Sequence, residues 1–507
     1  MNNHEIIKNL QPLRVWELFA ELGNIPRPSF HEEQVKVWLK KFAEKNNLKW
    51  RQDAIGNLAI YKNAQHSKSK KTLLLQAHMD MVCQKADDIE FDFLTDPIKF
   101  RLEGDHLFAT KTTLGSDNGV GLAMILAILE DQQISHPIIQ ALFTMDEEEN
   151  MVGSNNLDTS LIEADYMINL DTEVESMLMT SCAGSRDIEA NLKLNQISPA
   201  QNSQSYDLIV SGLRGGHSGI NVQENRVSAI KLTSALIGEF QNVLDLLLIA
   251  IDGGSARNSI PRNCKARFNI ENITQDDLTQ FQNIIEFYKK NYVSTEPDLE
   301  ITLQKSDLTE LVFDSISTNK MIKLINSIHS GVYQMSADIP TLVQTSANLG
   351  IISTKNDIIE LLFMVRSSDT FELKVATSEI LSQFELVVNQ KLKLDLSNLN
   401  LIHSKFTDLE IKLTRALTGW KHDPHNPLIQ IVSDLHESIL GFKPKIEAVH
   451  AGLECGALKS YLPNCHIISF GPTIENAHSP QESVEVKSVE SCFKLLRSVI
   501  SKLSEEI

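Results

Sequence analysis

Short apolar runs alternate with helical patterns along the first third of the chain. The short, mostly apolar run at 73–77 is too short for a helix and predicts a buried strand, as do the runs at 138–145 and 166–170. Apolar positions recur at helical spacing over 32–42 and 119–129, which predicts helices there. Strands that alternate with helices indicate an α/β fold, with a mainly parallel sheet that carries helices on both faces.

The pattern changes after residues 184–185 and returns to the first type from about residue 399. In between, a similar succession of helix and strand occurs twice, which suggests an α+β domain of two similar halves. The simplest organisation is a catalytic domain in two parts, 1–185 and 399–507, interrupted by an inserted lid domain at 186–398. Within the lid, strands are predicted at 206–211, 246–251, 265–270 and 359–366, and helices at 224–240, 275–290, 318–329 and 371–386.

Acidic residues outnumber basic ones, and the formal net charge of the 507 residues is −19. Nucleic acid and anionic membranes need a basic partner, so we expect neither, whereas a solvated acidic surface is the plain explanation of the charge. The N-terminal segment lacks a basic region followed by an apolar one, and no apolar run could span a bilayer. The six cysteines show no CxxC spacing, which is typical of reduced thiols in a cytoplasmic protein.

The strand at 73–77 leads directly into His78, with Asp80 two positions later. In an open α/β sheet, ligands bind beyond the carboxyl ends of the strands, and imidazole is the commonest metal ligand at neutral pH. Residues two apart share a face of an extended chain, so Asp80 is placed to fix the tautomer of His78. A single histidine at a strand end is more often structural, so the metal hypothesis depends on matching ligands elsewhere.

Acidic residues follow in two further places of this kind. Asp117 stands at the glycine-rich entrance of the predicted helix at 119–129, where it could instead be an ordinary N-cap. The predicted strand at 138–145 ends in four successive carboxylates at 146–149. Their mutual repulsion needs either solvent, as in an exposed loop, or a cation.

Two more candidates complete the pattern: Asp171, after the predicted strand at 166–170, and His478, in a polar loop after the last predicted strand. Together, two histidines and three carboxylates suit a pair of divalent metal ions bridged by one carboxylate. This donor set favours zinc, cobalt or manganese over a thiolate site. Glu147 is then the carboxylate left over to act as a base.

Seven short motifs span nearly the whole chain. They are HMDMV at 78–82, LGSDNG at 114–119, TMDEE at 144–148, GGHSG at 215–219, ARNSIPR at 256–262, HAGLECG at 450–456 and HSP at 478–480. In these motifs the chain resembles the M20 family of co-catalytic zinc metallopeptidases. The first and sixth motifs are similar to its dipeptidases rather than to the deacetylases and succinylases that share the metal core.

This resemblance implies a ligand set for two metal ions, with zinc as the expected metal and cobalt or manganese as substitutes. It implies that His78 and Asp171 bind one ion and that Glu148 and His478 bind the other. Asp117 would bridge the two ions.

The resemblance also assigns the surrounding groups. The peptide link from Asp117 to Asn118 is expected to be cis, as in the family, and Asp80 is expected to orient the first histidine ligand. Glu147 occupies the position of the general base. Glu149 stands where the family has a small residue. This difference affects the assignment of the base and of the metal ligand among the successive glutamates.

Four more residues are expected to act on the substrate, and two of them have a plainer alternative. The resemblance places His217 of the lid as a donor to the tetrahedral oxyanion, although the GGHSG motif could be a glycine turn with a surface histidine. Asn258 would contact the substrate backbone or its carboxylate. Arg366 would clamp the substrate carboxylate, or else form a salt bridge at a strand end. Glu454 would pair with the free α-amine.

The activity that the resemblance implies is hydrolysis of dipeptides with a free N-terminus, Xaa-His and others, by metal-bound hydroxide with a glutamate base. The alternative is a related amidohydrolase that acts on tripeptides or N-acyl amino acids. The expected partner is a small peptide substrate, in the cytoplasm. Because members of the family differ in whether the lid pairs two chains, monomer and homodimer both stay open.

Overall fold

The structure is a computed structural model that describes residues 2–307, 311–389, 392, 402–405 and 408–505. The chain divides into two compact units. Unit 1 consists of Met1–Ser181, His422–Ala448 and Leu453–Ile507, and unit 2 of Cys182–Lys421 and Val449–Gly452.

An eight-stranded sheet forms the centre of unit 1. Its middle strand, Thr72–His78, is buried at every residue after the first, as in a strand covered on both faces. This strand pairs in parallel with both of its neighbours, and one of these neighbours pairs in parallel with the strand beyond it. This arrangement confirms the predicted α/β fold. The further pairings toward the two edges of the sheet are antiparallel. The strand order is Lys49–Gln52, Leu58–Lys62, Ile138–Thr144, Thr72–His78, Tyr166–Asn169, His466–Ser469, Met177–Cys182 and Lys445–Val449.

The helix Ser116–Glu130 packs against this sheet and against the helix Leu13–Leu22. It is apolar around its whole circumference and is buried throughout 118–129, because a helix without a polar face must lie inside. Its first residues, Asp117 and Asn118, depart from helical φ/ψ, so the regular helix coincides with the predicted one. The remaining helices of unit 1 are Asn3–Ile7, Glu33–Lys45, Glu147–Asn150, Val152–Asn155, Pro427–Leu440, Glu454–Tyr461 and Val486–Leu503, with a 3-10 turn at Thr159–Leu161.

A small antiparallel sheet of four strands fixes the loop that carries His478. The loop at 476–482 joins two neighbouring strands of this sheet, so both of its ends are held. The strands, in order across the sheet, are Ile474–Glu475, Ser483–Glu485, His106–Ala109 and Phe100–Glu103.

Unit 2 is built on a ten-stranded sheet, and every pairing among its described residues is antiparallel. Its core includes the stacked rings of Phe240 and Phe281. Nine strands follow the order Glu300–Ser306, Ser203–Ser211, Cys264–Glu271, Leu246–Gly253, Val343–Lys355, Ile358–Ser367, Gly184–Lys193, Leu409–Leu417 and Ile402–Lys405, and Gly331–Met335 pairs with Val343–Lys355. Two small ladders join Gly216–His217 to Ser259–Ile260 and Gln196–Ile197 to Val312–Phe313.

The helices of unit 2 are Ala229–Gln241, Gln275–Tyr292, Ser315–Ser327 and Thr370–Val388. The predicted helix at 224–240 was wrong at its start, because Asn225 adopts a left-handed φ of 53° and separates a 3-10 turn, Val222–Glu224, from the helix proper. The predicted helix at 318–329 begins earlier, because the Asp314 side chain accepts a hydrogen bond from the Ser317 N–H and caps the first turn.

The predicted boundary between the lid and the second catalytic segment, 398/399, lies outside the described residues. Beyond it, the strands Ile402–Lys405 and Leu409–Leu417 still belong to the sheet of unit 2, and unit 1 resumes at His422. These two strands extend the edge of that sheet, so the first part of the predicted second catalytic segment belongs to unit 2 instead. Within the described part of the chain, no helix has both the length and the apolar character needed to cross a membrane.

Candidate metal centre and active site

The candidate ligands of unit 1 converge because three parallel strands end at one edge of its sheet. His78 is the last residue of its strand and lies opposite Thr144 in the register, while Gln76 lies opposite Asn169. Residues that follow strands with this register emerge side by side. The predicted ligand His78 is fully buried there.

Asp117 contacts both histidines of the predicted ligand set. Its Oδ1 lies 3.0 Å from Nε2 of His78, and its Oδ2 lies 3.1 Å from Nε2 of His478. The peptide bond from Asp117 to Asn118 is cis, which confirms that expectation. Each oxygen of one carboxylate therefore faces a different imidazole, the arrangement that a bridging ligand requires.

The other two predicted ligands lie against the same histidines. Oε2 of Glu148 is 3.0 Å from Nε2 of His478, and Oδ1 of Asp171 is 3.4 Å from Nε2 of His78. The second oxygen of Glu148 is buried without a hydrogen-bond partner, and Oδ1 of Asp171 is buried with no hydrogen bond beyond its ion-pair contact with His78. Buried polar atoms are normally satisfied, so these oxygens mark a place for a cation.

The donor set fits a metal ion. Ligand atoms of His78, Asp117 and Glu148 lie within 4.8 Å of one another, and imidazole nitrogens and carboxylate oxygens are typical zinc donors. Asp171 and His478 extend the group on its two sides. All five predicted ligands are thus brought together within unit 1.

Asp80 connects the histidine end of the site to the glutamate end. Its Oδ1 lies 3.3 Å from Nδ1 of His78 and accepts a hydrogen bond from the backbone N–H of Glu147 at 3.1 Å. Its Oδ2 accepts the N–H of Glu148 at 3.2 Å and the hydroxyl of Ser29 at 2.8 Å. One fully buried carboxylate therefore orients the imidazole and the turn that bears both glutamates.

The three successive glutamates have different surroundings. Their short helix, Glu147–Asn150, begins after Asp146 in the left-handed region. Glu147 and Glu148 are partly buried, whereas Glu149 is exposed. The departure from the family pattern at residue 149 thus lies on the surface and leaves the two partly buried glutamates in distinct positions.

The carboxylates of this cluster raise one another's proton affinity. Burial, reinforced by Asp171, raises the pKa of Glu147 well above its usual value. Burial, with Asp117 and Asp171 nearby, raises the pKa of Glu173 to about 8. Asp117 and Asp80 are exceptions, because hydrogen bonds from His478 and His78 outweigh the burial of Asp117, and a hydrogen bond with His78 outweighs that of Asp80, so that both pKa values are lowered. So much buried negative charge indicates a site built for cations.

Glu454 lies beside this cluster at the start of the helix Glu454–Tyr461. Its Oε2 accepts hydrogen bonds from Nε2 of Gln76 at 2.5 Å and from the hydroxyl of Thr144 at 2.7 Å. Its Oε1 is buried without a hydrogen-bond partner. Burial raises the pKa of Glu454 to about 7. One oxygen of a buried carboxylate is therefore left for another donor.

In unit 2, the tautomer of His217 follows from its backbone contacts. Its Nδ1 accepts the N–H groups of Gly219 at 3.3 Å and Ile220 at 3.1 Å, so in the neutral ring the proton is on Nε2. Nη2 of Arg366 lies 3.5 Å from that Nε2. Burial, followed by the charge of Arg366, lowers the pKa of His217 and keeps the ring neutral. Two donor groups thus lie side by side, as a site for an oxygen ligand requires.

His450 belongs to the same cluster of unit 2. Its Nε2 lies 2.7 Å from the hydroxyl of Ser346, and burial, with Arg366 and His217 nearby, lowers its pKa to about 3. A side chain at Gly219 would come within 2.1 Å of the His450 carbonyl, so the glycine permits this close approach. The HAGLECG motif is divided, because its histidine belongs to unit 2 and its glutamate to unit 1.

Asn258 is held next to His217 by backbone contacts and not by its side chain. Its carbonyl accepts the N–H of Ser218 at 2.8 Å, and the following residue, Ser259, pairs with His217. The Asn258 side chain is exposed. The structure thus places Arg366 and Asn258 beside His217 in unit 2.

Four residues of these clusters were missing from the sequence-based set. Glu173 is two positions after Asp171, a spacing that places both on one face of an extended chain. His450 was visible only as part of a motif. The buried Arg27 and Glu482 left no pattern in the sequence, because each acts on backbone atoms of distant loops.

The fold and the site define a hydrolase with a carboxylate- and histidine-lined metal centre at the carboxyl edge of an α/β sheet. Residues 74–502 match the profile described as Peptidase family M20/M25/M40. The chain belongs to this family and is a metallopeptidase.

Relatives of known structure or name resemble the chain over its length. It is 32% identical to the cytosol non-specific dipeptidase of Escherichia coli (strain K12) over 98% of this chain and 99% of that one. The crystal structure of aminoacylhistidine dipeptidase from Vibrio alginolyticus matches with a TM-score of 0.90 at 32% identity, covering 98% of each chain. A tripeptidase from Staphylococcus aureus, at 16% identity and a TM-score of 0.54 over 98% of this chain and 99% of that one, shares the fold alone.

Proposed function

We propose that this chain is a dipeptidase that uses two divalent metal ions to hydrolyse dipeptides with a free N-terminus, Xaa-His among them. The observation that carries the proposal is the bridge that Asp117 makes between His78 and His478, with an unpartnered buried oxygen of Glu148 and the carboxylate of Asp171 beside it. The two full-length relatives support the substrate class, because both are named as dipeptidases.

In this proposal His78 and Asp171 would hold one ion, Glu148 and His478 would hold the other, and Asp117 would contribute to both. Nitrogen and oxygen donors without thiolate favour zinc, with cobalt or manganese as substitutes. When bound, the two ions would lower the pKa of a water molecule and polarise the scissile carbonyl.

Glu147 is the general base. It takes the proton from the attacking water and delivers it to the leaving amine. Burial and the neighbouring carboxylates raise its pKa, which suits a group that must hold a proton between these two steps. Asp80 keeps Glu147 in place through the backbone and orients His78 through Nδ1.

The donors of unit 2 act on the substrate. His217 donates from Nε2 to the oxygen of the scissile carbonyl as negative charge develops there. Arg366 binds the substrate carboxylate, since a guanidinium recognises carboxylates with two parallel hydrogen bonds. Asn258, exposed beside His217, contacts the substrate backbone.

Recognition of a free α-amine separates a dipeptidase from an acylase. Glu454 offers one oxygen without a hydrogen-bond partner, while Gln76 and Thr144 occupy the other. We assign Glu454 to the α-amine. All six cysteines are free, which is compatible with the reducing cytoplasm as its location.

The test combines metal analysis with a substrate panel. Purified protein is assayed for bound zinc, cobalt and manganese, and for hydrolysis of Xaa-His and other dipeptides, their N-acetylated forms and tripeptides. We expect two ions per chain and turnover of free dipeptides only. N-acetylated dipeptides cleaved as fast as free ones would contradict the proposal and favour an N-acyl amino acid hydrolase, and rapid tripeptide cleavage would favour a tripeptidase.

A further inference from the structure

Glu482 lies four residues after His478, and its carboxylate is enclosed by the loop that carries Asp117. Its Oε2 accepts the backbone N–H groups of Leu114 at 2.8 Å and Gly115 at 3.0 Å. Its Oε1 accepts the N–H of Ser116 at 2.7 Å and the Ser116 hydroxyl at 2.6 Å. The side chain is only 2% exposed. Four short hydrogen bonds on one buried carboxylate fix the backbone immediately before Asp117.

Arg27 holds the same loop through its carbonyl groups. One guanidinium nitrogen donates to the carbonyl oxygens of Met79 at 3.1 Å and Asp80 at 2.7 Å, and the other donates to Gly115 at 2.5 Å. A Cβ at Gly115 would lie 2.5 Å from the guanidinium, and one at Gly119 would lie 2.7 Å from it. The glycines of the LGSDNG motif are therefore needed for Arg27 to approach the loop.

The two buried charges meet at one peptide segment. Glu482 accepts the N–H of Gly115, and Arg27 donates to its carbonyl oxygen. Burial, opposed first by the negative charge of Glu482, lowers the pKa of Arg27. The segment behind Asp117 is thus tied to the strand end of His78 by the arginine and to the loop of His478 by the glutamate.

We propose that Arg27 and Glu482 are positioning residues that hold the carboxylate of Asp117 between His78 and His478, so that metal affinity depends on them although neither is a ligand. This inference rests on the proposed metal site. A carboxylate in the bridging position must face two ions at once, so its position tolerates little displacement. Partners that orient metal ligands commonly change metal affinity by about 10- to 100-fold.

The test is zinc affinity, measured by competition with a chromophoric chelator, on Glu482→Gln. A glutamine amide can accept through only one of its two groups, so its NH2 would face either the N–H groups of Leu114 and Gly115 or the N–H of Ser116. We expect zinc affinity to fall by about 10- to 100-fold. The matched control is Asp131→Asn at the other end of the same helix, where a carboxylate accepts the N–H groups of Gln133 and Ile134. We expect its zinc affinity to equal that of the wild type.

A double-mutant cycle separates positioning from general loss of stability. If Glu482 acts through Asp117, Glu482→Gln should cause little further loss of zinc affinity in an Asp117→Asn background. Losses that multiply would overturn the inference, as would wild-type affinity in Glu482→Gln. The absorption spectrum of the cobalt-loaded protein should also change in Glu482→Gln and not in Asp131→Asn.

A milder variant covers the case in which Glu482→Gln does not fold. Ser116→Ala removes only the hydroxyl that donates to Glu482, and we expect a smaller loss of zinc affinity that again vanishes in the Asp117→Asn background. Wild-type affinity in Ser116→Ala together with an unfolded Glu482→Gln would show a structural role alone and overturn the inference. Wild-type protein that binds no zinc, cobalt or manganese would instead overturn the proposed metal site.

Discussion

The two units assemble their functional clusters in different ways. In unit 1, His78 and Asp171 follow parallel strands of one sheet, so their convergence results from the ends of the strands meeting at one edge. In unit 2, Arg366 lies within an antiparallel strand, and His217 comes from a two-residue ladder after a glycine turn. In a parallel sheet, residues that directly follow the apolar strands lie close together. In an antiparallel sheet, which residues lie close together depends on the strand register and on the loops.

The two clusters also differ in charge. The cluster of unit 1 is rich in carboxylates, and burial together with mutual repulsion raises the pKa values of several of them, among them Glu147 and Glu173. The cluster of unit 2 consists of one cation, Arg366, and two histidines whose pKa values burial lowers. The first arrangement suits cations, and the second suits oxygen atoms that bear or develop negative charge.

The largest expected effect comes from the base of unit 1. Glu147→Ala should keep its metal but lose turnover by about 10³-fold, because general base catalysis contributes on that scale. The measurement is kcat on a dipeptide together with metal content by mass spectrometry. Glu149→Ala, at the exposed neighbour, is the matched control and should retain full activity. A Glu147→Ala enzyme that turns over at the wild-type rate would remove this residue from the reaction.

The next effect tests whether unit 2 contributes to the chemical step. His217→Ala should lower kcat by about 10²-fold, the usual loss for one oxyanion donor, with metal content unchanged. His329→Ala, an exposed histidine of unit 2, serves as the control. A fall in zinc content in His217→Ala would contradict the assignment of metal binding to unit 1 and of hydrogen-bond donation to unit 2.

A smaller effect concerns binding of the substrate carboxylate. Arg366→Met should raise KM for dipeptides by about 10- to 100-fold, the loss expected for hydrogen bonds to a charged group. The same variant should bind dipeptide amides, which lack the carboxylate, no worse than the wild type does. Equal losses on acids and amides would show that Arg366 supports the structure of unit 2 rather than the substrate.

The smallest effect is on stability. Ser346→Ala removes the hydroxyl 2.7 Å from Nε2 of His450 and should reduce the free energy of unfolding of unit 2 by about 1 kcal/mol. Urea denaturation followed by far-UV circular dichroism measures this change. Thr345→Ala, which instead loses the neighbouring contact to the Ser367 hydroxyl, provides a comparison within the same strand. An unchanged free energy in Ser346→Ala would show that the His450 contact contributes nothing to the fold.

Local patterns predicted the elements of unit 1 closely and those of unit 2 less well. The apolar run at 73–77 became the strand Thr72–His78, and the helix at 119–129 became the regular part of Ser116–Glu130. The helix predicted at 224–240 failed at its start, because the left-handed residue Asn225 interrupts a sequence that is otherwise compatible with a helix. Periodicity reports which side of an element is buried and does not report a single backbone reversal.

The sequence alone determined the types and order of the chemical groups: a histidine and acidic residues after apolar runs, and the motifs that carry the family resemblance. Only the tertiary structure decided which atoms meet. The contacts of Asp117 with two histidines 39 and 361 positions away join side chains from distant segments. The enclosure of its loop by Arg27 and Glu482 depends on the backbone groups of that loop. A hydrogen bond to a backbone N–H or carbonyl imposes no requirement on residue type at the partner position, so it leaves no pattern to find along the chain.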